Sequence, residues 1–437
     1  MRLDFPFIAL STLVHLPQQR FTQAMLTLAV LVGCPAWSEQ PSKIKEEQSN
    51  LRSAPIEAPT PVFIDPLQTR RPREIPGFGA LDGIRVGGVT LFPTYSTRLV
   101  YDDNIFGRPK AQAPSQDLIY SNSPGLRLRY RPKRDLEVNA AYEFGWHNYL
   151  DDVARDYATQ SASAGFTWKN FFYKDFTLGV SNAYSQTAHT EVFDDELRSF
   201  TRAQGNNLTV ITSYQRKRLG YNAAYTFGLT DYFGKTSTAG DFHTHHVLAQ
   251  VYYKVTDRLL TALDYNYDAF RPAHANRGHF DTHSMMGSAT THIGKFNLSL
   301  AAGNKRAIAL DPYDSNDGLS LEFSLGYQAN RRIKVGFRGR RVFNAGILTG
   351  AAYVTEFSGD IGYVISKRVR LDSSYIWSRS DRFSGLTQDT AQFDCRLSGQ
   401  IAKRWSGHFN YTRLDRTTNV SPDISVNRVD ISIQMRF

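Results

Sequence analysis

Three basic residues, Lys334, Arg338 and Arg340, stand at even positions of one short stretch and alternate there with apolar residues and glycine. In an extended strand successive side chains point to opposite faces, so these three cations share one face. Fixed positive charge beside water raises the local concentration of anions, and charged side chains set the ion selectivity of pores. The pattern therefore predicts a basic wall that favours anions, provided that the strand lines an aqueous space.

Other strand-like segments place further cations on the same polar face. They are Arg127, Arg129, Arg370 and Arg396, together with the C-terminal Arg428 and Arg436. Acidic residues share this face, so a second interpretation is that opposite charges pair across strands and stiffen the wall. Under that interpretation Arg129 faces Glu137 and Glu322 lies near Arg338. The sequence leaves both interpretations open.

Histidine and carboxylate groups are the candidates for metal chemistry. The histidines are His243, His245 and His246, then His274, His279 and His283. Imidazoles bind transition metals, but these groups lack a tight ligand spacing, so we predict no metal site. Asp102-Asp103-Asn104 offers oxygen ligands of the type that Ca²⁺ prefers; the alternative, which we favour, is a turn that ends a strand.

Catalytic signatures are missing from the sequence. It contains neither a Gly-x-Ser-x-Gly nucleophile elbow nor a His-Glu-x-x-His metal motif. Asp241 and His243 form an acid–histidine pair, but such adjacency is common in loops rich in aspartate. We predict that the protein is not an enzyme and uses no cofactor.

The elements that must position the basic residues are strands of period two. The last nine residues, Val429–Phe437, alternate strictly between apolar and polar side chains, and similar stripes recur from about residue 86. Short connections that all carry Lys or Arg alternate with longer, acidic ones, eight of the first kind and nine of the second. These features predict an all-β fold, an antiparallel up-and-down transmembrane β-barrel of about 18 strands, with 16 as the alternative.

Composition excludes several other classes. The mean hydropathy is −0.39, and beyond the N-terminus no apolar run approaches the length of a membrane-spanning helix. The net charge of +10 is spread over turns and one strand face rather than gathered beside stacking aromatics, which argues against nucleic-acid binding. Two cysteines exclude a disulfide framework.

The N-terminal part of the chain predicts export. Residues 1–38 have the pattern of a signal peptide with cleavage after Ser38, and acylation at Cys34 is the alternative. Residues 39–83 are rich in Pro, Glu, Lys and Ser, which predicts a flexible periplasmic linker. The barrel is then predicted to occupy residues 84–437.

The start of the predicted barrel resembles a known family of outer-membrane proteins, the β-barrel porin 2 family. The resemblance is carried by Ile84-Arg85-Val86-Gly87-Gly88, Leu91-Phe92-Pro93 and Tyr101-Asp102-Asp103-Asn104-Ile105-Phe106, and more loosely by Asp117–Tyr120, Pro124–Arg127 and Trp146 to Tyr157. It implies an integral protein of the Gram-negative outer membrane that is often linked to exopolysaccharide synthesis. A terminal Phe437 also resembles the signal that the barrel-assembly machinery recognises.

Three functions follow as hypotheses. The first is an outer-membrane channel for export of an extracellular polysaccharide, which would have an anionic polysaccharide and polysaccharide-export components as partners. The second is a general or nutrient-uptake porin, and the third a non-conducting barrel that anchors partners. All three place the outer surface against outer-membrane lipid and lipopolysaccharide.

Overall fold

The computed structural model describes residues 83–104, 115–151, 156–191, 199–233, 241–272, 279–310, 316–346, 350–382, 385–419 and 423–436. The predicted signal peptide, the linker and Phe437 lie outside these residues. Within them, no helix is long and apolar enough to cross a membrane.

The described residues form nineteen strands. They are β1 (Ile84–Val86), β2 (Val89–Asp102), β3 (Asp117–Lys133), β4 (Leu136–Tyr149), β5 (Tyr157–Lys169), β6 (Phe176–Glu191), β7 (Ser199–Arg216), β8 (Leu219–Phe233), β9 (Phe242–Lys254), β10 (Leu259–Pro272), β11 (His279–Ile293), β12 (Phe296–Leu310), β13 (Asn316–Gln328), β14 (Ile333–Gly346), β15 (Gly350–Val364), β16 (Val369–Arg382), β17 (Thr387–Ala402), β18 (Trp405–Thr418) and β19 (Ile424–Arg436).

The strands β2 to β19 form a closed antiparallel barrel. Each pairs with its neighbours in the chain, and β19 pairs with β2, so that Arg428 lies opposite Asp102 and Arg436 opposite Thr94. Closure leaves the barrel without an open sheet edge. The predicted fold and its eighteen strands are confirmed.

The connections alternate between the two ends of the barrel as the sequence predicts. Eight at one end have two to six residues, and nine at the other end have three to fourteen. The difference in length is clear as far as β11 and is lost afterwards, since the last four connections at the second end have only three to five residues. We call the two ends the short-turn end and the long-connection end.

Local turn chemistry explains the tight connections at the short-turn end. Two-residue hairpins require a left-handed residue, and Lys217 (φ 50°) and Gly294 (φ 59°) supply it between β7 and β8 and between β11 and β12. Before β14, the Asn330 carboxamide oxygen accepts hydrogen bonds from the N–H groups of Arg332 and Ile333 at 2.7 and 2.9 Å. Such side chains terminate one strand and begin the next without a long loop.

Apolar side chains lie on the outer surface of the barrel. On β4 the side chains of Tyr142 and Trp146 are 48% and 47% exposed, and Leu319 on β13 and Ile361 on β15 are exposed to a similar degree. Because the register is continuous between most strands, every second residue of each strand points outward with them and the rest point into the lumen. The dyad alternation of the sequence therefore separates the outer surface of the barrel from the lumen.

One strand, β1, was missed as an element by the sequence analysis. It forms a hairpin with β2 through Gly87 and Gly88, and Ile84 lies opposite Leu91 on the edge of β2 that also receives β19. Gly83 has φ +63°, and a Cβ at that position would lie 2.6 Å from Thr90. A glycine is needed there because the chain passes close to β2 in a left-handed conformation.

Candidate functional site: the lumen wall

The seven basic residues predicted to govern selectivity all point into the barrel. Arg127, for example, is flanked along β3 by the outward Leu126 and Leu128, and lies opposite Phe92 and Ala141. The register places the other six on the same inner face: Arg129, Lys334, Arg338, Arg340, Arg370 and Arg396.

The row of bases on β14 has more acidic neighbours than the sequence analysis counted. Glu322 lies opposite Arg340 on one side and Glu356 on the other, and the Arg340 guanidinium is 2.7 Å from the Glu356 carboxylate. Glu322 does lie near Arg338, as predicted, but diagonally, since Arg340 is directly opposite Glu322 and Arg338 faces Ser324. Residues that belong to neighbouring strands, rather than to β14, decide this charge balance.

A third carboxylate lies between the remaining two bases of β14. Asp360 is opposite Gly336, and a Cβ on that glycine would be only 2.2 Å from the Asp360 Oδ1. The missing side chain at Gly336 leaves space for the carboxylate to lie over the strand. Lys334 and Arg338 on either side are exposed to the lumen and, among the described residues, have no acid within 4 Å.

The other four candidates also divide into cations with an acidic partner and cations without one among the described residues. The Arg370 Nε donates a hydrogen bond to Asp372 at 2.7 Å, and Arg129 lies 3.7 Å from Glu137. The predicted pairing of Arg129 with Glu137 is thus present, although Asn139 stands directly opposite Arg129 and Glu137 binds Arg131 more closely.

Two candidates are not engaged in ion pairs. Arg127 and Arg396 are exposed, and no acid of the described residues lies within 4 Å of either. Arg396 is opposite Asp372, which Arg370 already binds, and its nearest hydrogen-bonding group is His408 Nδ1 at 3.4 Å. Four of the seven predicted cations therefore remain available to solutes: Arg127, Lys334, Arg338 and Arg396.

A neutral sector adjoins these charges. On β5 to β8 the described inward residues between the level of Lys169 and the long-connection end are uncharged, and most are small or hydroxylated. They include Thr159, Ser161, Ser163, Thr167, Ser181, Ser185, Asn207, Thr209, Asn222 and Thr226. The sequence showed these residues, but without the register it could not place them together.

A recess of about 350 Å³ in the lumen wall joins the charged and neutral sectors. Arg127 and Glu143 line it from β3 and β4, and the hydroxyl groups of Ser161, Ser163 and Ser185 line it from β5 and β6. A guanidinium beside hydroxyl groups suits a solute that carries both a carboxylate and hydroxyls. The lumen wall is thus not uniformly charged, because a sector of exposed cations adjoins a sector of neutral side chains.

The described histidines lie on both faces of the barrel wall. His246 points inward and bonds to Asp268, whereas His245 and His283 point outward and bond to the hydroxyls of Tyr225 and Tyr265 at 2.8 and 2.9 Å. The described residues contain no group of three or more metal-ligating side chains. His274 lies outside those residues.

The Asp102-Asp103-Asn104 segment takes part in closure of the barrel. Asp103 accepts hydrogen bonds at 2.7 Å from both the backbone N–H and the Nδ2 of Asn427, and Asp102 binds Arg428 at 2.6 Å. This agrees with the interpretation as a strand end rather than a Ca²⁺ site. The sequence analysis missed the contact with β19, because no feature of residues 102–104 indicates a partner more than 300 residues away in the chain.

Comparisons with known proteins concern the fold. Comparison with protein-family models finds no match, and neither does comparison with curated proteins. Among solved structures, Pseudomonas aeruginosa OccK2 (OpdF) in complex with glucuronate is 10% identical, with a TM-score of 0.50 over 80% of this chain and 98% of that one. P. aeruginosa OccK8 (OprE) is 12% identical over 80% and 99% (TM-score 0.49), and the outer membrane protein OpdK of the same species is 10% identical over 79% and 99% (TM-score 0.47).

At these identities the likeness extends to the fold alone. The chain is a closed antiparallel β-barrel with the architecture of outer-membrane porins. The more specific resemblance to the β-barrel porin 2 family stays a prediction from the sequence.

Proposed function

We propose that this protein is a channel in the outer membrane of a Gram-negative bacterium and admits small anionic solutes, as a nutrient-uptake porin does. The observation that carries the proposal is the lumen wall, where Arg127, Lys334, Arg338 and Arg396 are exposed and no described acid lies within 4 Å of them. A channel of this kind needs only an aqueous passage and a positive electrostatic potential along its wall.

The membrane location is supported by the outer surface. A chain that crosses lipid must satisfy its backbone hydrogen bonds internally, and a closed barrel does so. Outward residues such as Leu300 and Ile361 are 64% and 53% exposed, which in water would leave a large apolar surface uncovered. Bacterial outer-membrane barrels have an even strand number and short periplasmic turns, and this barrel has eighteen strands.

The anionic class of solute is supported by the lumen charges and by the recess. Exposed cations raise the local concentration of anions, and Arg127 lines one recess together with Glu143 and the serines of β5 and β6. A hydroxylated carboxylate is therefore the solute class that we infer. The solved structure of OccK2 contains such a molecule, glucuronate, which is a suitable probe for this chain.

Polysaccharide export stays a prediction that only the sequence resemblance implies. No feature of the described residues favours a long polymer over a small solute, and the anionic polysaccharide and the export components remain untested as partners. Uptake of small solutes is therefore the better-supported function.

The test is conductance of the purified protein in planar bilayers under a salt gradient. We expect open-channel currents with a reversal potential that favours anions, more strongly at low than at high ionic strength. Liposomes containing the protein should admit glucuronate faster than glucose. If neither the full chain nor a chain without residues 39–83 conducts, the protein is a non-conducting barrel and the proposal fails.

A further inference from the structure

The outer surface of β5 to β7 differs from that of the strands on either side. On the flanking β4 the outward residues are apolar from Leu136 to Trp146, and on β8 they are apolar from Leu219 to Leu229. Between them the apolar stripe of β6 stops after Val180. Five outward side-chain amides lie between that level and the long-connection end, and we call them the amide patch: Gln160, Asn182, Gln186, Gln204 and Asn206.

The register shows that the lower part of the amide patch lies at the depth of lipid-facing residues. Asn206 is directly opposite Leu229, which is 42% exposed, and Asn182 is opposite Leu208, which is 40% exposed. Carboxamides at that depth are costly when they face hydrocarbon, because no water is available to bond their free donors and acceptors.

The patch satisfies itself only in part. Gln160 donates to Gln186 at 2.6 Å, Asn182 donates to Asn206 at 2.6 Å, and Gln204 donates to Asp231 at 3.0 Å. Within the described residues, the Nδ2 of Asn206, the Nε2 of Gln186 and the Oδ1 of Asn182 have no partner. Two donors and one acceptor therefore point away from the barrel.

The short-turn end of the same strands adds exposed aromatic rings. The β5–β6 connection is the longest at that end, and Phe172 and Tyr173 in it are 71% and 54% exposed. Tyr173 contacts Tyr214 of β7 with ring centroids 5.5 Å apart. Rigid aromatic side chains of this kind are enriched in protein interfaces.

Charged residues mark a different outer surface. Outward ion pairs near the long-connection end, Arg271–Asp281, Arg379–Asp381 and Arg413–Asp415, lie on β10, β11, β16 and β18. On β7 the exposed Arg216 points outward opposite Leu219, but it lies at the short-turn end, away from the amide patch. Charged lipid headgroups thus suit the first surface, and a neutral partner suits the amide patch.

We propose that the amide patch is where a second copy of this chain docks. A carboxamide is both donor and acceptor, so a patch of amides is complementary to itself, as an interface between identical subunits requires. Side-chain hydrogen bonds between neighbouring membrane segments stabilise association where the hydrophobic effect does not. The inference is independent of what the lumen conducts.

The test is cross-linking in outer membranes with a matched control. In a Cys395→Ala background, Asn206→Cys should give a product of twice the chain mass with a short bismaleimide, while Ile361→Cys, equally lipid-facing on β15, should give little. The purified wild type in mild detergent should have the mass of an oligomer. Asn182→Leu with Asn206→Leu should keep the heat-dependent gel mobility of a folded barrel and run as a monomer.

Three outcomes would overturn the proposal. These are a wild type that is monomeric in mild detergent with no Asn206→Cys product, a product whose mass reveals a different protein, or equal cross-linking at Ile361→Cys. If the double leucine variant loses its heat-dependent mobility, the cross-linking result, obtained with single cysteines, still decides the matter.

Discussion

Arg428 on the last strand of the barrel binds Asp102 on the first, with 2.6 Å between the guanidinium and a carboxylate that is 1% exposed. A second pair, Arg98 with Asp430 at 2.6 Å, crosses the same seam in the opposite sense. The two strands are separated by more than 300 residues, so this seam carries the largest loop-closure cost in the fold. Because each strand carries one acid and one base of these two pairs, the pairs favour the association of β19 with β2.

The first prediction concerns this seam. Asp102→Asn should lower the temperature at which the folded barrel converts to the slow-migrating form on gels, because Arg428 then loses its charged partner. We expect a loss of about 2 kcal/mol, below the usual scale for breaking a buried ion pair, since the Arg428 side chain is 40% exposed. Asp360→Asn is the control, since Asp360 is exposed and has no cation within 4 Å among the described residues. Equal behaviour of the two variants would contradict the role of the seam.

The second prediction separates free from paired lumen cations. Lys334→Gln combined with Arg338→Gln should shift the reversal potential toward cations, by roughly twofold in permeability ratio at low salt, without changing stability. Arg413→Gln removes the same kind of charge from the outer surface, where Asp415 binds it at 2.8 Å. That control should leave the reversal potential unchanged. An unchanged lumen variant would mean that these bases have no part in selectivity.

The third prediction concerns Arg340. Arg340→Gln should shift selectivity in the same direction and also destabilise the barrel, because Glu356 loses the guanidinium 2.7 Å away. We expect about 2 kcal/mol, below the full cost for a buried pair, since both side chains are partly exposed. Adding Glu356→Gln should restore the stability. Thermal unfolding of the single and double variants measures both effects, and failure of the rescue would show that the pair does not brace the wall.

The fourth prediction rests on a close approach of two strands. A Cβ on Gly303 of β12 would lie 2.0 Å from the Met285 carbonyl oxygen of β11, whereas a Cβ on the neighbouring Gly287 would meet nothing nearer than 3.9 Å. Gly303→Ala should therefore reduce the yield of folded barrel several-fold, and Gly287→Ala should not. Similar yields for the two variants would show that the strands separate at little cost.

The fifth prediction assigns the ends of the barrel to the two sides of the membrane. An epitope inserted after Gly385, between β16 and β17, should be labelled on intact cells, because long-connection ends face outward in bacterial barrels. One inserted after Lys367, between β15 and β16, should be labelled only after the outer membrane is opened. Labelling of the Lys367 site on intact cells would reverse the orientation.

The sequence predicted much of this architecture because its main signal is local. A period of two assigns each side chain to a face without knowledge of its neighbours, and so Lys334 and Arg338 were placed in the lumen correctly. Register is not local. The placement of Glu322 against Arg340 rather than Arg338, and of Asp360 over Gly336, depends on the stagger between strands, which alternation does not encode.

The amide patch shows a second limit of sequence reasoning. Asn182 and Asn206 occupy outward positions, so a rule that assigns polar residues to the lumen blurs the strand signal there. On β6 the outward apolar residues stop at Val180, and Asn182 takes the next outward position. Single departures from the dyad pattern are visible in the sequence, but only the register shows that several of them lie together.

The short strand β1 limits how the last strand can be placed. A slip of β19 by two residues preserves the division between apolar and polar faces, so polarity alone does not prevent it. Such a slip would move Arg436 from Thr94 to Phe92 and bring the next residue beside Leu91, where Ile84 already lies. The hairpin therefore acts as a stop that blocks a slip of β19 in this direction.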